Sequence, residues 1–162
     1  MASNSGLPVT TWKNLVTLAY TGTASLTTAA SFKISLHNNT AFTGYDYDTL
    51  HGFSATNEVS GTGWASGGPL LSAAASGNTT VTPTITTSPT GSMMYDHTND
   101  ISQASTTLTN ARCCEIYMDS VTAPTADPYI VVVNFGADYS TSNGTFGIQW
   151  AAAGVFAIDL TP

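Results

Sequence analysis

The chain has 162 residues, 8% of them charged, and a formal net charge of -7 at pH 7. This length is typical of a single domain. The chain has three cations, Lys13, Lys33 and Arg112, which are too few to neutralise a nucleic-acid backbone or to form a polybasic membrane patch. We therefore expect neither nucleic-acid binding nor membrane binding.

The N-terminal residues predict an arm and one short helix. Residues 1–10 are small and polar and include Pro8, so we expect a flexible arm, followed by a single β domain over residues 11–162. No signal peptide is expected, because residues 2–6 are polar. After Thr10, apolar residues have the spacing of one helix face at Trp12, Leu15, Val16 and Ala19. Gly22 would end this helix, although the Thr and Val content leaves a strand as an alternative.

The next segment predicts a strand with one buried face. Apolar and other side chains alternate with a period of two from Phe32 to His37, as expected of a half-buried strand. Residues 38–68 then form a long glycine-rich connection. Connections of this length usually carry function or contacts.

The C-terminal half predicts a series of short strands. Further β segments, rich in β-branched and aromatic residues, lie between turn signals at 69–75, 79–87, 92–96, 111–118, 128–135, 145–150 and 155–160. Asn143-Gly144 and Gly154 are signals for hairpin turns. We predict an all-β fold, an antiparallel β-sandwich or barrel of about eight short strands with one short N-terminal helix.

Two groups of acidic residues are candidate cation sites, and the two cysteines are candidate thiols. Two groups could supply oxygen or imidazole ligands to a cation: Asp46 with Asp48, and Asp96 with His97 and Asp100. Roles in turns and caps fit their spacing better. Adjacent strand residues point to opposite faces, so Cys113 and Cys114 are expected to be reduced thiols, at least one of them buried. No metal or cofactor is predicted.

The sequence contains no strong catalytic motif. Three histidines (His37, His51 and His97) and many serines allow a hydrolase to be imagined, but no Gly-x-Ser-x-Gly elbow occurs. The stretch Gly61–Gly68 lacks the lysine of a phosphate-binding loop. We therefore predict that the protein is not an enzyme.

Four segments carry a family resemblance: Asn57–Gly68, Ala111–Tyr117, Tyr129–Gly136 and Asn143–Trp150. In order and spacing they resemble a family of small structural proteins of tailed bacteriophages, which are described as head decoration or minor tail proteins. The resemblance extends from about Ser31 to Leu160. Its motifs are structural, and the family has no catalytic residues to transfer.

The resemblance implies a virion protein, in first place a capsid decoration or cement protein that binds the outer head shell and is made in the host bacterial cytoplasm. Its partners would be the major capsid protein and copies of itself, as a homo-oligomer with a trimer favoured. The expected contact residues are Trp64, Tyr45, Tyr47, Asn57, Glu58, Gly61, Gly63, Lys13 and Lys33. For the three aromatic residues, packing inside the domain is the alternative.

Two other functions stay open at this point. One is a minor tail or receptor-contacting protein that binds host glycans through aromatic and Thr-rich loops. The other is a hydrolase acting on such glycans.

Overall fold

The protein is mostly β-structure, arranged in two antiparallel sheets of three strands each. The computed structural model describes residues 5–17, 26–28, 31–49, 52–73 and 81–161. Its helices are α1 (Val9–Val16), α2 (Asn39–Thr43) and a 3-10 helix, Leu71–Ala73. Its strands are β1 (Phe32–His37), β2 (Pro83–Thr86), β3 (Ser92–His97), β4 (Ile101–Met118), β5 (Tyr129–Ile148) and β6 (Phe156–Asp159). The strand orders are β1-β4-β5 and β2-β3-β6, so the prediction of a mostly β, antiparallel fold is confirmed.

The described residues contain six strands rather than about eight, because two strands are unusually long. β4 has 18 residues and β5 has 20, and they pair with each other along most of their length. The turn signal at Asn143-Gly144 makes no hairpin. Instead Asn143 and Asn110 take positive φ values of 48° and 59° where the register of the two strands shifts. Residues that favour turns are thus accommodated as irregularities within a continuous strand pair.

Strand β1 is buried on both faces from Ile34 to His37, which corrects the expectation of one buried face for this strand. Phe32, Ile34 and Leu36 enter the main hydrophobic core, and Ser35 and His37 on the opposite face are 0% and 1% exposed. Residues 38–49 and 52–58 fold back over this second face. Within that connection Asn38 caps the N-terminus of α2, and its Oδ1 accepts hydrogen bonds from two backbone N–H groups at 2.9 and 3.1 Å.

Helix α1 begins at Val9, two residues before the predicted start. The indole N–H of Trp12 donates to the carbonyl oxygen of Ile130 at 3.0 Å, and this bond fastens the helix to β5. Val16, predicted for the buried face, is 81% exposed. Ala19 and Gly22 lie outside the described residues.

The described part of the predicted flexible arm is joined to the first sheet of its own chain. Gly6 and Val132 exchange two backbone hydrogen bonds of 3.0 Å, and the Ser5 hydroxyl accepts from the Asn134 N–H at 3.0 Å. The Tyr47 ring lies over Gly6, where a Cβ would come within 2.6 Å of it. Residues 5–8 therefore extend the edge of the sheet. Residues 1–4 lie outside the described part.

Both cysteines are free thiols with 0% exposure, on opposite faces of β4. Burial raises the pKa of Cys113 to about 12 and the pKa of Cys114 well above its usual value. We expect a thiol reagent such as DTNB to react in native buffer only at the rate of unfolding, and to label both thiols at once in denaturant. Immediate labelling of one equivalent in native buffer would contradict this placement.

Candidate functional site

The predicted contact residues on the connection form a loop braced by a carboxylate. Glu58 accepts a hydrogen bond from the Gly67 N–H at 2.6 Å through Oε1, and one from the Ser66 hydroxyl at 2.5 Å through Oε2. The Tyr117 hydroxyl donates to the Gly67 carbonyl at 2.6 Å. The loop from Glu58 to Gly68 is therefore fixed to the first sheet.

The tryptophan of this loop points inward. Trp64 is 1% exposed and packs edge to face on Phe146, with ring centroids 5.6 Å apart. The indole ring of Trp64 therefore packs in the core, and in this conformation it cannot contact a partner. Gly61 and Gly63 let the loop backbone approach β4, since a Cβ on either would press on the carbonyl oxygen of Thr107 or Ser105.

A second set of polar side chains lies on the covered face of the first sheet, and we call it the Glu115 cluster: Ser35, His37, Tyr45, Glu115 and Tyr129. Glu115 is 0% exposed and accepts a hydrogen bond from the Tyr45 hydroxyl through Oε1. Its Oε2 lies 3.1 Å from Nε2 of His37. The register of β1 and β4 places Ser35 directly opposite Glu115 and so creates the cluster.

Burial favours the neutral forms of both ionisable groups at its centre. It raises the pKa of Glu115 to about 8, against the opposing effect of a hydrogen bond from Tyr129. It lowers the pKa of His37 to about 4, against a smaller effect of the Thr56 backbone. A protonated Glu115 beside a neutral His37 avoids a buried ion pair.

The cluster contains serine, histidine and a carboxyl group, but not in the arrangement of a hydrolase. Ser35 Oγ and Glu115 Oε2 approach the same ring nitrogen of His37, at 3.2 and 3.1 Å. A catalytic relay needs the nucleophile on one ring nitrogen and the carboxylate on the other. Ser35 is also 0% exposed, so a substrate cannot reach its hydroxyl in this conformation.

Two of the predicted contact residues meet above this cluster. Tyr45 and Asn57 line a cavity of about 250 Å³ together with Tyr129 and Gly52. The hydroxyls of Tyr45 and Tyr129 connect this cavity with the buried carboxyl group. Tyr47 lies elsewhere, beside Gly6, Cys113 and Val132, and burial raises its pKa to about 12.

The three cations are dispersed rather than gathered at one site. Lys33 forms an ion pair with Asp119 at 2.8 Å, and Arg112 contacts Asp138 at 3.3 Å. Arg112 also donates to Oδ1 of Asn39 at 3.0 Å. Lys13 is exposed on α1. Two of the three cations therefore meet carboxylates of their own domain.

Two of the candidate cation ligands, Asp46 and Asp100, have local partners. The Oδ1 of Asp46 accepts a hydrogen bond from the backbone N–H of Asp48 at 3.1 Å and so caps a turn. Asp100 accepts from the backbone N–H of Trp150 at 2.9 Å, and the buried His97 ring packs edge to face on the Trp150 ring. Within the described ranges, no three His, Cys, Asp or Glu side chains come together as a metal site.

A larger cleft, of about 620 Å³, lies along β5 and the segment that follows it. Its walls include Phe135, Tyr139, Phe146, Gln149 and Trp150. Residues 143–150 entered the sequence analysis only as a structural motif. Their share in a cleft was missed, because it depends on how residues 149–155 return along the strand.

None of three comparisons, with protein-family models, with curated proteins and with solved structures, found a match. In the part of the chain that the structure describes, no helix has the length and apolar character to cross a bilayer.

Proposed function

We propose that this protein is a non-enzymatic structural protein of a tailed-bacteriophage virion, a decoration protein that binds the outer head shell and stabilises it. The family resemblance supports the assignment of this protein to a virion. The structural observation that carries the proposal is the outer edge of β5.

The two edges of the first sheet differ. Pro69, Leu70 and Glu58 cover the outer edge of β1 through backbone bonds or bridges. On the outer edge of β5, Ser5 and Gly6 reach only Val132 and Asn134, and among the described residues no strand pairs with the edge from Phe135 to Ile148. An uncovered edge of this length is a template for another strand.

The composition of this edge favours association. Proteins usually protect free edges with lysine, proline or several charges. β5 contains no lysine or proline, and its one charged residue, Asp138, pairs with Arg112. A surface with so few charges loses little hydration energy when it is buried against another protein.

In the assembly that we propose, copies form a symmetric oligomer, with a trimer favoured, in which the β5 edge of each copy contacts a different surface of the next copy. This oligomer bridges neighbouring subunits of the major capsid protein, so its interface must break before the shell opens. For the fold we propose a sandwich, because Phe156 of β6 packs against the core that contains Phe32 and Val131 of the other sheet.

Sedimentation with virion parts tests this function. We expect the purified protein to pellet with capsids that lack it, and not with detached tails. Pelleting with tails alone would contradict the decoration function and favour the tail protein.

A paired variant tests the edge itself. Ala137→Lys with Ser142→Lys adds two charges at exposed positions of β5, and we expect self-association to weaken at least about tenfold by analytical ultracentrifugation, because the lysine ammonium groups would lose hydration when the edge is buried in the contact. The matched control, Ala55→Lys with Ser60→Lys, adds the same charges at exposed positions of the connection. Equal association of both double variants would exclude the β5 edge.

A further inference from the structure

The cleft along β5 has the size of a small-molecule site. Its volume of about 620 Å³ falls within the range of roughly 300–1,000 Å³ typical of ligand pockets. It lies on the described part of the chain, away from the Glu115 cluster and from the cavity above it. Its function is separate from the virion assignment and does not depend on it.

The lining of the cleft selects against charged ligands. None of its residues is Asp, Glu, His, Lys or Arg. An ionised group entering it would lose hydration without meeting an opposite charge, which is costly. The ligand chemistry that fits is therefore neutral.

The residues that line the cleft include both aromatic rings and uncharged hydrogen-bonding groups. The rings are Phe135, Tyr139, Phe146 and Trp150, and the uncharged polar side chains include Ser140, Thr141, Thr145 and Gln149. A ligand that satisfies both needs an apolar C–H face and several hydroxyl groups on one small ring. Sugars have this combination, whereas apolar ligands would leave the polar groups unpaired.

The aromatic wall is rigid and one ring is presented to solvent. Phe135 packs on Tyr139 and on Phe146, with centroids 6.1 Å apart in both pairs, and Phe146 rests on the buried Trp64. Tyr139, at the outer end of this row, is 51% exposed, the only aromatic among the exposed large apolar residues of the described chain. A preorganised ring that remains exposed loses little entropy on binding a ligand.

Hydrogen-bonding capacity is available at the other wall. Gln149 is exposed there and offers both a donor and an acceptor.

We propose that this cleft binds a neutral oligosaccharide, with Tyr139 and Phe135 against the C–H face of a sugar ring and with Gln149 hydrogen-bonded to its hydroxyls. On a virion surface, such a site would hold the particle at uncharged glycans of a cell envelope.

The test is NMR titration of the 15N-labelled protein with four neutral trisaccharides (maltotriose, cellotriose, mannotriose and N,N',N''-triacetylchitotriose) and with glucose 6-phosphate as the charged comparator. At about 10 mM sugar, a site with a Kd of about 1 mM is mostly occupied. We expect at least one trisaccharide to shift the signals of Tyr139, Ser140 and Gln149, and glucose 6-phosphate to shift none of them.

Variants locate the binding. Tyr139→Ala should weaken it about fivefold or more, and Tyr139→Phe, which keeps the ring, should retain it. The control is Ile85→Ala, at an exposed apolar position on β2 outside the cleft. No shift with any of the four trisaccharides, shifts confined to other surfaces, equal binding of glucose 6-phosphate, or unchanged binding by Tyr139→Ala would each overturn the proposal.

Discussion

Replacing Gly68 by alanine is expected to lower the free energy of unfolding by at least about 3 kcal/mol. Gly68 has a φ of +71°, which disfavours any side chain, and a Cβ at this position would overlap the carbonyl oxygen of Ile34 in the centre of β1. The backbone cannot move away easily, because Glu58 and Tyr117 hold the adjacent Gly67 on both sides. Urea unfolding followed by tryptophan fluorescence measures the change.

Gly136 provides the matched control for this substitution. Its φ of +79° is nearly the same, but a Cβ there would meet nothing within 4 Å. Gly136→Ala should therefore cost only the conformational penalty, about 1–2 kcal/mol. Similar losses for the two variants would show that the Glu58 loop does not approach β1 as closely as described.

Stability is expected to be highest near pH 6.5 and to fall on both sides. Burial raises the pKa of Glu115 from 4.5 to about 8, so the folded protein holds this proton more tightly than the unfolded chain. The contribution of this proton to the free energy of unfolding is complete below pH 4.5 and is lost as the pH rises through about 8. Between pH 6.5 and 8 the free energy of unfolding should decrease by up to roughly 1.4 kcal/mol per pH unit.

Two buried histidines cause the expected loss of stability below pH 6.5. Burial lowers the pKa of both His37 and His97 from 6.5 to about 4, so the unfolded chain binds these protons more tightly. Their contribution is complete above pH 6.5 and is lost as the pH falls through about 4. Because two histidines oppose one carboxyl group in this range, stability should also fall from pH 6.5 towards 4.5.

Glu115→Gln separates the carboxyl group from the histidines. The amide can still accept from the Tyr45 hydroxyl, but it does not titrate. Urea unfolding across the pH range should show the decline between pH 6.5 and 8 abolished and the fall from pH 6.5 towards 4.5 steeper, because a carboxyl group no longer opposes the two histidines there. An equal decline in the variant and the unaltered protein would mean that Glu115 is not the group responsible.

The sequence predicted those parts of the fold that depend on neighbouring residues. The alternation from Phe32 to His37 identified β1, and the adjacency of Cys113 and Cys114 indicated thiols that cannot pair with each other. The long β4 and β5 strands were not predicted, because Asn143-Gly144 reads as a turn. Only pairing with β4 turns it into an irregularity inside a strand.

The candidate sites depend on contacts between distant segments, and this explains what was missed. Ser35 and Glu115 become neighbours only through the register of β1 and β4. The polar side chains of Ser35 and His37 suggested a solvated face, which residues 38–49 and 52–58 in fact cover. From the sequence, Trp64 could contact a partner or pack in the core. Nothing in the sequence indicated that the Glu58 carboxylate braces the loop.

The low charge that first excluded nucleic acids and membranes has a more specific meaning in the folded chain. Lys33 and Arg112 pair with carboxylates of the same domain, and Asp138 is neutralised by one of these pairs. The outer edge of β5 is left with backbone groups, hydroxyls and aromatic rings. Both proposals, assembly through the edge and sugar binding in the adjacent cleft, depend on this uncharged surface.

The copy number of the protein in purified virions tests the decoration function most directly. Quantitative mass spectrometry measures it, with the major capsid protein as the internal reference, in the virions to which the proposed function assigns this chain. A protein that covers the head shell should be present in on the order of hundreds of copies, in a fixed ratio to the capsid protein. A copy number of a few to tens, or absence from the particle, would contradict a decoration protein.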